Sequence, residues 1–228
     1  PEPPTLFDEW KDNAPAARLQ ELEIDRHMDL NYDLFLDLTP EFNQPPSQLR
    51  QDRSAWHNMK RMSEEQLKKW RAAYGPRDKA FHEANLSGKD LVRWKFQRYA
   101  KNYLRCVKGV DESVGKLQET LRQLKLERNT IVIYCSDQGF YIGDHGWYDK
   151  RWMYDESLKM PFIVKWPGVT KPGSRNTDLI QNLDYAQTFL ELAGTKLPED
   201  MQGKSLVPLL KGNTPKDWRK EIYYHYYE

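Results

Sequence analysis

The sequence predicts an α/β protein, and three features of the chain support this prediction. Residues 89–126 carry apolar side chains at steps of three and four, the pattern of one long amphipathic helix. Residues 130–135 form a continuous apolar, β-branched run, and residues 161–166 resemble it; such runs are typical of strands buried on both faces in parallel sheets. Residues 183–193 repeat the helical pattern and end at Gly194. A helix, two strands and a helix in this order are typical of α/β folds.

The long helix is the clearest element, because its apolar positions lie on one face. These positions are Val92, Phe96, Tyr99, Tyr103, Val107, Val110, Val114, Leu117, Leu121 and Leu124. Gly109 and Gly115 weaken this helix, and the strand that follows favours packing on a sheet over a coiled coil. With a third strand predicted at residues 221–227, the sheet is still too small for such a helix. We therefore expect an incomplete sheet that belongs to a larger domain.

The remaining segments suggest a division near residue 88. Residues 1–60 have sparse apolar side chains and many prolines, so we expect loops, with a helical turn at residues 16–23, that wrap the surface of the protein. A helix is predicted to begin near Ser63 and to stop at Gly75 and Pro76. Residues 1–88 are accordingly interpreted as an irregular and helical covering segment, and residues 89–228 as the main part of the domain.

Composition excludes several classes of protein. The 35 Lys and Arg residues against 34 Asp and Glu leave a net charge of +1, so no global field marks a nucleic-acid binder. No apolar run approaches the roughly 18 residues of a membrane span. Cys106 and Cys135 cannot form a disulfide framework, and neither belongs to a C-x-x-C zinc motif.

Residues 136–157, between the two predicted strands, contain the candidate metal-binding and catalytic side chains. Asp137 and Gln138 offer adjacent oxygen ligands suited to Ca²⁺ or Mg²⁺, although spacing alone favours a helix cap or an Asx turn for Asp137. His145, between two glycines, could donate a proton or contact an anion, or simply lie on the surface. Lys150 could stabilise a tetrahedral oxyanion, or be a solvated lysine that pairs with Asp149.

The order of several short blocks resembles the sulfatase family. The blocks are Ser136-Asp-Gln-Gly139, Gly143-Asp-His-Gly146, Lys150, Tyr154-Asp-Glu-Ser157, Met160-Pro-Phe-Ile-Val164, Leu183-Asp-Tyr-Ala-Gln-Thr188 and Met201-Gln-Gly-Lys-Ser-Leu-Val-Pro-Leu-Leu210. The resemblance covers residues 89–212 and implies the later part of an alkaline-phosphatase-like mixed sheet flanked by helices. It also implies hydrolysis of sulfate esters, most like the carbohydrate sulfatases, with one Ca²⁺ and a formylglycine nucleophile.

The resemblance also implies roles for individual residues. Asp137 matches the aspartate of the family's late metal pair, and Gln138 stands where Asn or His is usual. Lys150 matches the lysine that holds the sulfate, and His145 is assigned to substrate contact. The resemblance therefore favours the metal role over the cap for Asp137, and the sulfate role over the solvated lysine for Lys150. Trp147 and Arg151 are the expected substrate-binding residues. The aromatic loop residues suit stacking on sugars, with burial under residues 1–60 as the alternative.

The chain departs from the family at the nucleophile. Neither cysteine begins a C/S-x-P-x-R motif, nor does any serine, and two upstream metal aspartates are absent. We therefore expect the 228-residue chain alone to be inactive, and to associate with itself or with a missing N-terminal half. The parent protein is expected to act on sulfated carbohydrate in the periplasm or outside the cell. The alternatives are a phosphoryl or phosphonate hydrolase of the same superfamily and a non-catalytic fragment.

Overall fold

A computed structural model of the chain describes residues 1–11, 13–37, 57 and 59–225. The chain divides into two compact units: Pro1–Val110 with Phe140–Trp152, and Asp111–Gly139 with Met153–Glu228. The predicted boundary after residue 88 therefore falls inside the first unit. The helices are α1 (Pro15–Leu19), α2 (Glu64–Ala84), α3 (Gly88–Gln123), α4 (Asp155–Leu158), α5 (Leu183–Leu192) and α6 (Val207–Leu210). The strands are β1 (Val132–Cys135), β2 (Tyr141–Ile142), β3 (Tyr148–Asp149) and β4 (Phe162–Lys165).

Helix α2 begins as predicted but does not stop at its proline. Ser63 accepts a hydrogen bond from the backbone N–H of Gln66, whose side chain accepts one from the N–H of Ser63, and this capping box fixes the start. The helix continues through Pro76 to Ala84 and ends at Asn85 in the left-handed conformation. The predicted stop is wrong, because side chains of α2 on either side of the proline are buried in tertiary contacts that offset the lost hydrogen bond.

The N-terminal residues form part of the core of the first unit. Leu6, Ile24, Met28 and Leu34 are buried and pack in one cluster with three side chains of α3, namely Val92, Phe96 and Ala100. The prediction that residues 1–60 only wrap the surface is therefore wrong for residues 1–37, whereas residues 38–56 lie outside the described part of the chain. The sparse apolar side chains of this segment are buried because they pack against α3, which is distant from them in the sequence.

Helix α3 buries only the first part of its predicted apolar stripe. Val92 and Phe96 are buried as expected, but Leu104 and Leu117 are 57% and 53% exposed. Two cationic side chains, Lys95 and Arg98, are buried beside the stripe. The Nζ of Lys95 donates hydrogen bonds to the carbonyls of Ile24, Asp25 and Met28 at 3.2, 2.9 and 3.0 Å, so the ammonium ties the N-terminal loop to α3.

The strands of the second unit pair antiparallel, which corrects the expected parallel arrangement. Strand β1 pairs with β4, with Val132 opposite Lys165 and Cys135 opposite Phe162. Their side chains are half-buried or exposed rather than buried on both faces, because this sheet has two strands within the described residues. The predicted third strand is absent from residues 221–225, and residues 226–228 lie outside the described part.

A buried carboxylate organises the helical part of the second unit. Asp184, near the start of α5, is fully buried and forms an ion pair with Arg219. Its side chain also accepts hydrogen bonds from the backbone N–H groups of Gln181 and Lys204, both at 2.8 Å. These contacts connect α5 to the segment before α6. In the ranges that the structure covers, no helix has both the length and the apolarity needed to cross a membrane.

Candidate functional site

The loop that sequence analysis selected, residues 136–157, is divided between the two units. Asp137 and Gln138 belong to the second unit. The first unit contains the other four predicted site residues, His145, Trp147, Lys150 and Arg151. The structure thus keeps the four loop residues together on one hairpin and places the two oxygen ligands on the other unit.

The hairpin is built from β2 and β3, which pair with Tyr141 opposite Asp149 and Ile142 opposite Tyr148. Gly143 begins its turn with a φ of 95°, a conformation that side-chain-bearing residues rarely adopt. A Cβ atom at this position would lie 2.6 Å from the ring of Phe96 on α3. The glycine is therefore required both for the turn and for the close approach of the hairpin to the long helix.

His145 lies in the turn and is held by the N-terminal segment. Its backbone N–H donates a hydrogen bond to Oγ1 of Thr5, and its carbonyl accepts one from Nε1 of Trp10, both at 2.8 Å. The imidazole Nδ1 lies 3.9 Å from a carboxylate oxygen of Asp8, and 24% of the side chain is exposed. The backbone itself is left-handed at this residue, with a φ of 58°. The imidazole is thus fixed in place and accessible, and its contact with substrate stays a prediction.

Lys150 and Arg151 differ in how their charges are neutralised. The Nη1 of Arg151 lies 2.8 Å from a carboxylate oxygen of Asp149, so Asp149 pairs with the arginine. The alternative that Lys150 pairs with Asp149 is therefore wrong, because Lys150 has no ion pair or hydrogen bond with any residue the structure describes. The backbone is strained on both sides of the lysine, with φ of 68° at Asp149 and 131° at Arg151. A half-buried, uncompensated cation held by strained backbone is suited to an anionic ligand.

Trp147 has an enclosed ring. Its exposure is 0%, and its ring centroid lies 5.8 Å from that of Trp10 and 5.4 Å from that of Tyr141. Phe140 is likewise stacked on Tyr103, with centroids 5.3 Å apart. An enclosed ring has no free face for a sugar, so the structure favours the packing alternative for Trp147 over stacking on substrate.

An acidic group that sequence reasoning missed lies beside this hairpin. Burial raises the pKa of the Asp33 carboxyl from 3.8 to about 6, and the negative charges of Asp29 and Asp149 add to the increase. The pKa values of Tyr99 and Tyr148 are raised, mainly by burial and further by the negative charges of Asp33 and Asp149, so both phenols stay neutral. No sequence pattern could have indicated this group, because residues near positions 33, 99 and 149 meet only in the fold.

The two predicted metal ligands occupy the end of β1. Gln138 donates from Nε2 to the carbonyl and the Oγ of Ser157, at 2.9 and 3.2 Å, and its amide oxygen takes no part in these bonds. The carboxylate of Asp137 is exposed and caps no backbone N–H among the described residues. The cap and Asx-turn alternative for Asp137 is therefore not what the structure shows. Both residues are free to present an oxygen to a cation.

These two oxygens fit one part of a calcium site rather than a whole one. Ca²⁺ takes about 6–8 oxygen ligands, and a carboxylate with an amide oxygen is a suitable hard donor pair. Within residues 1–11, 13–37, 57 and 59–225, no group of three or more His, Cys, Asp and Glu side chains is arranged to hold a metal. Asp137 and Gln138 would therefore need further ligands.

Comparison with known proteins decides the family. Residues 143–228 match the family described as N-sulphoglucosamine sulphohydrolase, C-terminal. The whole chain is 43% identical to an N-acetylglucosamine-6-O-sulfatase of Bacteroides thetaiotaomicron, of which it covers 40%. This chain belongs to the sulfatase family. A human sulfatase, N-acetylglucosamine-6-sulfatase, is 35% identical over 52% of the chain and 22% of its own length. The chain thus spans less than half of these sulfatases.

Solved structures agree with this assignment. The fold superimposes with a TM-score of 0.90 and 43% identity on a protein in complex with its substrate D-glucosamine-2-N,6-O-disulfate, covering 100% of this chain and 46% of that one. A phosphonate monoester hydrolase from Silicibacter pomeroyi gives a TM-score of 0.54 and 28% identity, covering 60% of this chain and 26% of that one. The predicted fold class, part of an alkaline-phosphatase-like sulfatase domain, is confirmed.

Proposed function

We propose that the protein to which this chain belongs hydrolyses sulfate esters of glucosamine-type sugars, at the 6-O position. The observation that carries this proposal is the 43% identity over the full chain to an N-acetylglucosamine-6-O-sulfatase. The TM-score of 0.90 with a structure that holds D-glucosamine-2-N,6-O-disulfate supports the same substrate class. This reaction sets two requirements: the charge on the sulfate oxygens must be stabilised, and the sugar ring must be oriented.

Lys150 meets the first requirement. Its ammonium forms no ion pair with described residues, so its charge is available to the sulfate oxygens. A fixed cation aimed at oxygens that gain charge during the reaction stabilises the transition state more than the ground state. We assign Lys150 to the sulfate and the leaving oxygen. Arg151 is assigned to the sugar or its second charged group, with Asp149 holding its guanidinium in place.

His145 meets the second requirement. Thr5 and Trp10 fix its backbone, which limits where the imidazole can go. A neutral imidazole can donate or accept a hydrogen bond with a sugar hydroxyl, and a positioned one can transfer a proton. We assign His145 to a substrate contact beside the sulfate.

Asp137 and Gln138 are assigned to a calcium site that other residues complete. When bound there, Ca²⁺ would act as a Lewis acid on a sulfate oxygen. The carboxylate of Asp137 and the amide oxygen of Gln138 would hold the cation, and Ser157 would hold the Gln138 amide in place. The 228 residues contain no C/S-x-P-x-R motif, so the proposal assigns the formylglycine nucleophile to no residue of this chain. We also propose that the protein acts in the periplasm or outside the cell, and only the family resemblance supports this location.

Hydrolysis of phosphonate or phosphate monoesters is the second candidate. It is favoured by the likeness to the phosphonate monoester hydrolase of Silicibacter pomeroyi, with its TM-score of 0.54. A lysine beside a tetrahedral anion serves either reaction, since sulfate and phosphonate groups share this geometry. The two candidates therefore differ in which ester is cleaved faster.

A chimaeric enzyme tests the proposal directly. Residues 1–228 replace the matching segment of the Bacteroides thetaiotaomicron N-acetylglucosamine-6-O-sulfatase, which aligns with this chain over 231 residues. We expect the chimaera to release sulfate from N-acetylglucosamine-6-sulfate faster than it hydrolyses a phenylphosphonate monoester. A chimaera that folds, as shown by cooperative thermal unfolding, but releases no sulfate would contradict the proposal. Faster phosphonate hydrolysis would favour the second candidate.

A further inference from the structure

A basic groove lies between α2 and α3 in the first unit. Its cavity has a volume of about 600 Å³, within the range of small-molecule sites. Its walls come from four residues of α2 and five of the facing part of α3. They are Arg77, Ala80, Phe81 and Ala84 on α2, and Trp94, Gln97, Arg98, Lys101 and Arg105 on α3. None of them belongs to the loop 136–157.

The groove carries four cations and no lining carboxylate. Arg98 pairs with Asp78 at 2.9 Å, but Arg77, Lys101 and Arg105 form no ion pair in the part of the chain that the structure describes. Clefts with charges of one sign concentrate ions of the opposite sign, because the low-dielectric walls focus the field. The groove therefore attracts anions even though the whole chain is almost neutral.

Three guanidinium groups of the groove are grouped around one ring. The Cζ atoms of Arg77, Arg98 and Arg105 lie 5.5, 4.5 and 5.7 Å from the ring centroid of Tyr74. Contact with the aromatic face reduces but does not cancel the repulsion between like charges. A bound anion would relieve the remaining repulsion.

Arg98 supplies a second, independent observation. Only 6% of its side chain is exposed, and its Nη1 is buried with no hydrogen-bond partner among the described residues. Most buried polar groups have such a partner, so an unsatisfied guanidinium nitrogen in a cavity wall requires an explanation. The charge of Arg98 is paired with Asp78, but an anion in the groove would give this nitrogen the acceptor that it lacks.

The groove wall also contains two aromatic side chains beside its cations. Phe81 and Trp94 have their ring centroids 4.0 Å apart, and both side chains are half-buried in the cavity wall. Aromatic faces pack against the apolar faces of sugar rings, whereas guanidinium groups bind tetrahedral oxyanions through two parallel hydrogen bonds. A ligand with a sugar ring and a sulfate group matches both features, and simple inorganic anions match only one.

We propose that this groove is a binding site for a sulfated saccharide, which contacts Arg77, Lys101 and Arg105 through its sulfate groups and Trp94 through its ring. The class of ligand rests on the proposed function, because the substrate bound by the similar structure is a glucosamine that carries two sulfate groups. Such a site would hold a part of the glycan that is not being cleaved.

The test follows Trp94 in the 228-residue chain by NMR. Its indole N–H resonance is identified by its loss in Trp94→Phe, and the probes are D-glucosamine-2-N,6-O-disulfate, D-glucosamine and inorganic sulfate. We expect the disulfate to shift this resonance with a lower dissociation constant than either other probe. The double variant Arg77→Gln/Lys101→Gln should weaken this binding by at least about tenfold, since charge-assisted hydrogen bonds are lost.

A matched variant controls for overall charge. Lys68→Gln/Lys116→Gln removes the same charge from the same two helices outside the groove, and should leave the affinity unchanged. An equal loss in both double variants, no shift of Trp94, or an equal shift with D-glucosamine would overturn the proposal. So would equally tight binding of a poly-glutamate peptide. Lys150→Ala should keep the shift, which separates a failure of this site from a failure of the proposed function.

Discussion

Lys150 and Arg151 are adjacent cations, but only the arginine is neutralised by a described carboxylate. The sequence analysis named Asp149 as a possible partner of Lys150. In the structure Arg151 makes the 2.8 Å contact with Asp149 instead, and its backbone has an unusual φ of 131°. The lysine that the family resemblance selected is thereby left available for a ligand.

The first prediction concerns this lysine. In the chimaera, Lys150→Ala should lower kcat about 10²–10³-fold, the usual loss when one group that stabilises a developing anion is removed. Stability should change little, because the ammonium has no ion pair or hydrogen bond with described residues to lose. Sulfate release and the thermal midpoint are measured in parallel.

Lys159→Ala is the matched control for Lys150→Ala. This lysine lies close by in the sequence, is exposed, and pairs with Asp155 four residues earlier. An exposed helix pair of this kind contributes only about 0.3–0.5 kcal/mol, so turnover should be unchanged. Near-normal turnover of Lys150→Ala, or an equal loss in both variants, would show that the sulfate role of Lys150 is wrong.

The second prediction concerns Asp33. Its pKa is raised from 3.8 to about 6, so between these values the folded state binds more protons than the unfolded state. The free energy of unfolding therefore falls as pH rises from about 4 to about 6, and stays lowered above that range. Asp33→Asn should remove this loss and stabilise the chain by roughly 1 kcal/mol at neutral pH, after allowance for solvent screening, with no gain near pH 4.

Urea unfolding across this pH range checks the Asp33 prediction, with Asp25→Asn as the control. Asp25 is an exposed carboxylate of the same segment, and it is its backbone carbonyl that accepts the hydrogen bond from Lys95. In Asp33→Asn, the new side-chain amide oxygen can still accept the hydrogen bond that the Asp29 N–H donates at 2.7 Å. A gain from Asp33→Asn that is the same at all pH values would contradict the assignment to proton binding.

At the scale of elements, the sequence predicted which helices and strands exist better than it predicted what surrounds their side chains. The period of α3 was correct because the spacing of apolar side chains depends only on local geometry. The burial of Lys95 and Arg98 on the same helix was not predictable, since their partners are carbonyls and a carboxylate from distant segments. The direction of strand pairing was not predictable either, because the apolar runs of β1 and β4 do not encode whether the strands run parallel or antiparallel.

The third prediction tests the network at the start of α5. Asp184→Ala leaves Arg219, whose side chain is 13% exposed, without its partner, and removes the acceptor for the N–H groups of Gln181 and Lys204. Breaking a buried pair in this way costs about 3–5 kcal/mol. Glu191→Ala, an exposed position near the end of the same helix, should cost less than about 0.5 kcal/mol. Chemical denaturation that gave equal losses would show that the network contributes no special stability.

For the whole molecule, the predicted site residues fall on two units, and no sequence pattern indicates this division. Residues 136–157 are continuous in sequence, yet Asp137 and Gln138 group with β1 whereas Lys150 groups with the N-terminal residues. The family resemblance identified these residues through their order along the chain. The long-range packing of Leu6 and Ile24 against α3 in the first unit is likewise recorded by no local pattern.

The fourth prediction concerns calcium. Asp137 and Gln138 supply two oxygens, against the roughly 6–8 that Ca²⁺ requires, so the 228-residue chain should bind Ca²⁺ weakly or not at all. It should also show no sulfatase turnover of an aryl sulfate, with or without Ca²⁺. Calorimetry and a chromogenic assay measure these properties. Tight binding, or calcium-dependent turnover by the pure chain, would be incompatible with a partial site.

The last prediction is that the isolated chain associates with a second copy of itself through the exposed part of α3. Leu104, Val107, Val110 and Leu117 are 57%, 44%, 44% and 53% exposed. The first three recur every three residues, so they form one apolar stripe. Clustered exposed apolar side chains of this kind mark contact surfaces, whereas single ones do not.

Sedimentation at increasing concentration should show a rising average mass, which Leu104→Lys/Val107→Lys should reduce by placing two like charges in the stripe. Leu19→Lys is the control, because Leu19 is 81% exposed on the five-residue helix α1 and is not part of this stripe. If the native chain stays monomeric at all concentrations, the stripe does not drive self-association. An equal reduction by Leu19→Lys would instead indicate non-specific stickiness, since a single exposed leucine does not by itself mark a contact surface.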